Sequence, residues 1–161
     1  MIKKKIKFIF KGGRIERIPD IKKGISPSDF FYGSYDLKYK NYEIQYLSLD
    51  KIIVNKYKFF FDYILSNLNK LGISKTIIQH IGNSDSDTKL IVSFSDGLSL
   101  TLGTLQNRKI KTLGCFHRLS ELENQSNIFI NFWSNQLIKN SLNRLDHIAF
   151  FGSADREYAI S

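Results

Sequence analysis

The segment from Lys89 to Arg118 constrains the fold more than any other part of the chain. Leu90 to Phe94 is a short apolar run with little alternation, which suits a strand covered on both faces of a parallel sheet. Ser95, Asp96 and Gly97 break it. Ser95 or Asp96 is placed to cap the free amides of a helix start, and such a cap is worth about 1 kcal/mol. Leu98, Leu102 and Leu105 follow at helical spacing, with Gly103 expected to let that helix approach the sheet, and Ile110 to Phe116 is a second apolar strand. A βαβ unit of this kind crosses over right-handedly. It directs ligands to the carboxyl ends of its strands, here near Ser95–Gly97 and Phe116–Arg118.

The rest of the chain extends the same alternation. Ile6, Phe8 and Phe10 predict a first strand over Lys5 to Phe10, running into Gly12, Gly13 and Arg14. Glycines after a first strand let backbone amides approach a phosphate, and an arginine beside them adds a charged fork; a plain turn is the alternative, because the three-glycine dinucleotide spacing is absent. Residues 15–26 read as a charged, flexible loop. Ser26 to Asp29 begin a helix expected to run to about Lys40, packing Phe31 and Tyr35, and Glu43 to Leu49 forms the second strand. Tyr57, Phe60, Phe61, Ile64, Leu65, Leu68 and Leu71 make one stripe of an amphipathic helix. Phe59 and Tyr63 lie off that stripe, beside Lys51, Lys56 and Lys58, a pattern that either docks on an anionic membrane or is covered by residues 73–81. A polar loop over Gly82 to Thr88 leads into the central unit. Beyond it, Leu119 to Asn127 passes over the rim of the sheet, Phe129 to Arg144 is a helix, His147 to Phe151 a short buried strand, and Ala154 to Ser161 the first turns of a helix.

The expected fold is therefore α/β: a single Rossmann-like domain over residues 1–161, a three-layer sandwich with a mostly parallel central sheet and helices on both faces. A hydrophobic content of 42%, with 13 Phe and 8 Tyr, excludes global disorder. Cys115 is the one cysteine, so an intrachain disulfide is excluded, and its place in a strand predicts a buried, inert thiol. No apolar run reaches the roughly 20 residues that span a bilayer. The chain is expected in the cytoplasm, with peripheral attachment to the inner face of the membrane as an option. His80, His117 and His147 lack metal-ligand spacing, so neither a metal nor another cofactor is expected.

The net charge of +9 is unevenly placed. Residues 1–80 hold 16 Lys and Arg against 7 Asp and Glu, whereas residues 81–161 hold 8 of each. The asymmetry suggests an anionic partner for the first half, against the plainer reading of solvated lysines. Scattered lysines and aromatics at core spacing argue against nucleic acid.

Five pieces of this sequence carry a family likeness: KFIFKGGR, SPSDFFYGSYDL, LIVSFSDGLSLTLG, GCFHR and HIAFFGSADREYAIS. Together they cover nearly the whole chain, which resembles the amino-terminal half of the two-domain GT-B glycosyltransferases, particularly the retaining group called family 4. The resemblance implies that Gly12, Gly13 and Arg14 lie near the donor diphosphate and that His117 faces the donor sugar as a catalytic residue. Ser95, Asp96 and Arg118 would then stand where a glycan or lipid-linked acceptor is bound. That family carries its nucleotide-sugar contacts and a Glu-x7-Glu pair in a second domain, and no two glutamates of this chain have that spacing. The expectation is an acceptor-binding half, inactive alone, that needs a missing or separate second lobe. Two other classes remain open at this point: a non-enzymatic basic module binding anionic membrane or nucleic acid, and a flavodoxin-like signalling domain. The latter lacks acidic residues where Gly12, Gly13 and Arg14 stand. The glycosyltransferase reading requires Gly13, Asp96 and His117 to share one rim of the sheet.

Overall fold

The computed structural model describes residues 4–10, 13–31, 34–36, 41–48, 60, 71, 86–105, 109–119 and 128–160. Five strands form one parallel sheet: β1 (Lys4–Phe10), β2 (Tyr42–Ser48), β3 (Thr88–Ser93), β4 (Lys111–Phe116) and β5 (His147–Phe150). Their spatial order is β2-β1-β3-β4-β5. Four α-helices are described with them: α1 (Ile18–Lys22), α2 (Asp96–Leu102), α3 (Ile128–Leu142) and α4 (Ser153–Ile160). This is the α/β sandwich expected from the sequence.

Alternation along β1 explains the two-sided core. Ile6, Phe8 and Phe10 point to one face, where they pack with Phe31, Val92 and Cys115, and Ile18, Ile21, Tyr35 and Tyr46 close over them. Ile9 points to the other face, with Ile91, Leu98, Leu102, Leu105 and Ile110. A strand flanked by strands and buried on both faces has no wet side, which is why β3 reads as a nearly continuous apolar run, whereas β1 is recognised by Ile6, Phe8 and Phe10 alternating around a Lys7 that is itself buried. Aromatic rings dominate the first face. Phe94 stacks on Phe10 with centroids 5.5 Å apart, and Phe10 meets Phe31 edge-on at 5.3 Å.

The second face is closed by helices at short range. Ser99 of α2 is buried, and its hydroxyl donates to the Cys115 carbonyl of β4 at 2.9 Å. Gly114 makes room for that approach: a Cβ there would stand 2.9 Å from the Leu145 Cδ1 and 3.1 Å from the Ser99 Cβ. Gly103 was expected to bring α2 against the sheet. Instead it brings α2 against α3: a Cβ at Gly103 would run into the Ser141 carbonyl oxygen and hydroxyl, and the Ser141 hydroxyl donates to the Leu100 carbonyl.

Several local readings are corrected. Residues 15–26 contain a 3-10 turn at Ile15–Arg17 and the helix α1, whose first turn holds Pro19, so the stretch is not irregular. The helix expected from Ser26 to Lys40 is replaced, where described, by 3-10 turns at Ser28–Phe31 and Ser34–Asp36; Ser34 donates to the Phe31 carbonyl at 2.6 Å and closes the first. Hydroxyl bonds to nearby carbonyls compete with a continuous helix in this way. Of the helix predicted over 57–71, Phe60 is exposed and so leaves the inward stripe, Leu71 is buried, and the rest lies outside the described residues, as do residues 73–85. Leu119, assigned to a polar crossing, is fully buried with Phe116 and Ile138. β5 is only partly buried because it is the outer strand on its side of the described sheet: His147 and Ile148 are exposed. The last helix contributes to the core through Ala159.

Asp146 ties the amino ends of β4 and β5 together. Its carboxylate accepts from the Thr112 amide at 3.0 Å and the Thr112 hydroxyl at 3.1 Å, and pairs with the Lys111 ammonium at 2.6 Å. The Lys111 hydrogen bond, aided by those from Thr112, holds its pKa below the ordinary carboxylate value against the opposing effect of burial.

Three outcomes are expected. Gly103→Ala lowers folding stability by about 1–3 kcal/mol in urea titration, because the new methyl meets a backbone carbonyl that cannot swing away. Gly13→Ala, at φ +87° in open space, costs only the ~1–2 kcal/mol of a left-handed residue. For Asp146 the depressed pKa gives stability that is present above the unfolded carboxylate value of about 3.9 and lost as pH falls through the folded value. Asp146→Asn therefore lowers the melting temperature at neutral pH, and the gap to the parent chain closes as acid protonates Asp146.

Candidate functional site

Because every described strand runs the same way, the residues after β1, β3, β4 and β5 emerge on one rim. Gly13 and Arg14 follow β1, Ser95 and Asp96 follow β3, His117 and Arg118 follow β4, and Phe151 follows β5. The chain passes from β1 outward to β2 and then returns to the other side of β1 for β3. The crevice of such a sheet opens where the order reverses, between the turns after β1 and β3. His117 lies one strand further on, so two inter-strand spacings, about 10 Å, separate the β1 turn from it across the sheet. Gly12 lies outside the described residues.

The β1 turn is built on the aromatic face of the core. Gly13 takes the left-handed conformation, and Arg14 places its guanidinium carbon 5.6 Å from the centre of the Phe10 ring. A cation over a ring face is attracted by the ring quadrupole, which holds the arginine at the strand end. The charge expected to meet a phosphate is thus half-buried and pre-oriented.

Asp96 does not act as the predicted cap. Ser95 occupies the capping position with extended backbone but makes no side-chain capping bond, and the helix starts through its carbonyl, which accepts from the Ser99 amide at 2.7 Å. The Asp96 carboxylate reaches sideways to the next strand end. Its Oδ1 accepts from the His117 amide at 2.9 Å and the Arg118 amide at 3.2 Å. Bonds to a charged acceptor are about twice as strong as neutral ones, so this carboxylate fixes the turn after β4 to the start of α2. The His117 ring lies flat on Phe151, centroids 4.1 Å apart and planes 7° from parallel. The Phe151 amide donates in turn to the Phe116 carbonyl at 3.0 Å, extending the β4–β5 ladder past its last paired residues. His117 is therefore positioned from two sides, by Asp96 through its backbone and by Phe151 through its ring.

Sequence reasoning named Asp96 and His117 separately and missed their connection; it missed Phe151 as a site neighbour altogether. The available signal was positional: Phe151 stands just past the end of a strand, as His117 does. Cys115, one residue before the end of β4, packs in the core with Ile6, Phe8, Phe10 and Val92, and burial pushes its thiol up to about 11, which leaves it protonated and unreactive at neutral pH. Among the described residues no three His, Cys, Asp or Glu side chains converge to hold a metal ion. The rim thus offers a histidine, two guanidinium groups and the turn amides of a positive-φ glycine. Those groups suit phosphate and hydroxyl recognition. No family model matches this chain, and neither do any curated protein or solved structure.

Asp96→Ala is expected to lower stability by about 1.5–3 kcal/mol and to accelerate hydrogen exchange at the His117 and Arg118 amides specifically. Asp96→Asn, which keeps one acceptor oxygen, has a smaller effect on both. Amide exchange followed by NMR checks the two variants together.

Proposed function

We propose that this chain is the acceptor-binding half of a glycosyltransferase, which moves a sugar from a nucleotide-sugar donor to a glycan or lipid-linked acceptor once a second lobe closes over its rim. The observation that carries the reading is the presence on one rim of the Gly13–Arg14 turn and the doubly held His117, about two strand spacings apart. Arg14 and the turn amides of Gly13 and Arg14, with Gly12 as their sequence neighbour, take the donor diphosphate. His117 faces the sugar as the catalytic residue. Ser95, Asp96 and Arg118 line the acceptor side. The likeness of the strand-end segments to family 4 GT-B enzymes supports these assignments, and the second lobe supplies the nucleotide contacts.

Sugar transfer needs donor and acceptor oriented in a closed site, so this half binds an acceptor weakly and does not turn over alone. The same reading makes it a peripheral protein at the inner face of a membrane, where a lipid-linked acceptor is displayed. Among the described residues no helix is long and apolar enough to cross a bilayer, and Arg17, Lys22 and Lys23 around α1 are exposed cations.

Titration of the chain with inorganic pyrophosphate, nucleotide sugars and glycan acceptors, followed by amide shifts, tests the reading. Expected are shifts confined to residues 12–14, 95–97 and 117–118, with no turnover. Tight donor binding with turnover by this chain overturns the half-site assignment, and shifts confined to the exposed lysines overturn the rim. In an assembled two-lobe enzyme, His117→Ala lowers kcat by about 100- to 1,000-fold, as loss of one transition-state contact does.

A further inference from the structure

Helix α3 packs Leu137, Ile138 and Leu142 inward yet leaves its largest aromatic rings outside. Ser134 and Ser141 face inward with Ile138 and are 0% and 3% exposed, while Phe129, Phe132 and Trp133 stand outward at 81%, 62% and 68%. Large aromatic side chains are among those a water-soluble fold hides first, and a contiguous apolar patch marks a surface built to be covered. The outward positions continue along the same stripe through Gln136 and Asn140, with Lys139 at its flank. Residues 128–145 contain Lys139 and Arg144 and no acidic residue. The helix therefore presents an aromatic amino-terminal end and a polar, cationic carboxyl-terminal end.

We infer that this face of α3 docks on an anionic lipid surface, with Phe129, Phe132 and Trp133 entering the headgroup region and Lys139 meeting lipid phosphates. Charge selects lipid over a protein: Lys139 and Arg144 are exposed along and just after α3, and residues 128–145 hold no carboxylate to repel phosphate. Phe and Trp on the same helix as cations are the composition of a helix lying in a membrane interface. The inference names the surface for the membrane attachment proposed above. It differs from the lysine-rich first half as the place of contact, and it does not depend on the chemistry of the rim.

Trp133 is the only tryptophan in the chain and reports on this face directly. With vesicles of phosphatidylcholine containing about a third phosphatidylglycerol, its emission is expected to shift to shorter wavelength and to be quenched by lipids brominated near the headgroup. Phosphatidylcholine alone, or added salt, weakens both effects. The double variant Phe129→Ser/Phe132→Ser, whose changes lie on exposed positions, lowers the vesicle partition constant by about 10-fold or more while leaving the far-UV circular dichroism unchanged. Absence of vesicle binding by the unaltered chain overturns the proposal, as does binding that leaves Trp133 emission unmoved, which would assign the contact to the basic first half. A concentration-dependent dimer that shifts Trp133 emission without lipid would assign the face to a second copy and overturn it too. Pyrophosphate shifts at the rim, measured on the same variants without vesicles, remain if only the membrane inference fails.

Discussion

Everything at the rim follows from the burial of β1 on both faces between two parallel neighbours. With Ile6, Phe8 and Phe10 in one core and Ile9 in the other, this strand cannot sit at an edge without exposing apolar surface, nor slip by one residue without sending three large side chains into the core that Ile9 fills. Its neighbours pair in the same direction, Phe8 opposite Tyr46 of β2 and opposite Val92 of β3. Parallel pairing on both sides of β1 brings the chain reversals after β1, β3 and β4 to a common end. A rim with recognition groups is then a product of packing before it is a product of chemistry.

The geometry beyond that point is set by side chains reaching between strand ends. One carboxylate oxygen of Asp96 organises two amides of the next turn, and one phenyl ring supports the imidazole from the far side. Neither contact belongs to a repeating hydrogen-bond pattern. They hold the turn after β4 in place where the sheet ladder no longer does, so His117 is presented on a braced turn instead of a free loop.

The strands were legible because β3 and β4 carry short apolar runs punctuated by Ser95 and His117, and β1 alternates Ile6, Phe8 and Phe10 before Gly13. Helix α2 was legible from Leu98 and Leu102. What failed depended on competition between local and tertiary partners. The Asp96 carboxylate had free amides of its own helix within reach and two amides across the sheet, and residue type cannot decide between them. Ser28 to Asp36 looks helical by its start signal, yet Ser34 turns back onto the Phe31 carbonyl and the Ser34 carbonyl receives the Tyr46 hydroxyl at 2.8 Å. Gly103 announced a close approach without saying to what. The inner side of α3 was legible, because Leu137, Ile138, Ser141 and Leu145 share one face by spacing and do pack inward, but that spacing gave no reason for rings as large as Phe132 and Trp133 to be left outside.

The contact between Gly103 and Ser141 has a steric corollary for those rings. Ser141 lies directly against the Gly103 backbone and bonds the Leu100 carbonyl, so the contact between α2 and α3 is made through two small residues. A roll of one residue would bring a bulkier neighbour against the Gly103 backbone and force the two helices apart. The crowding of two small residues on the inner side thus acts as a key in a slot, and the orientation of Phe132 and Trp133 on the opposite side is dictated by it.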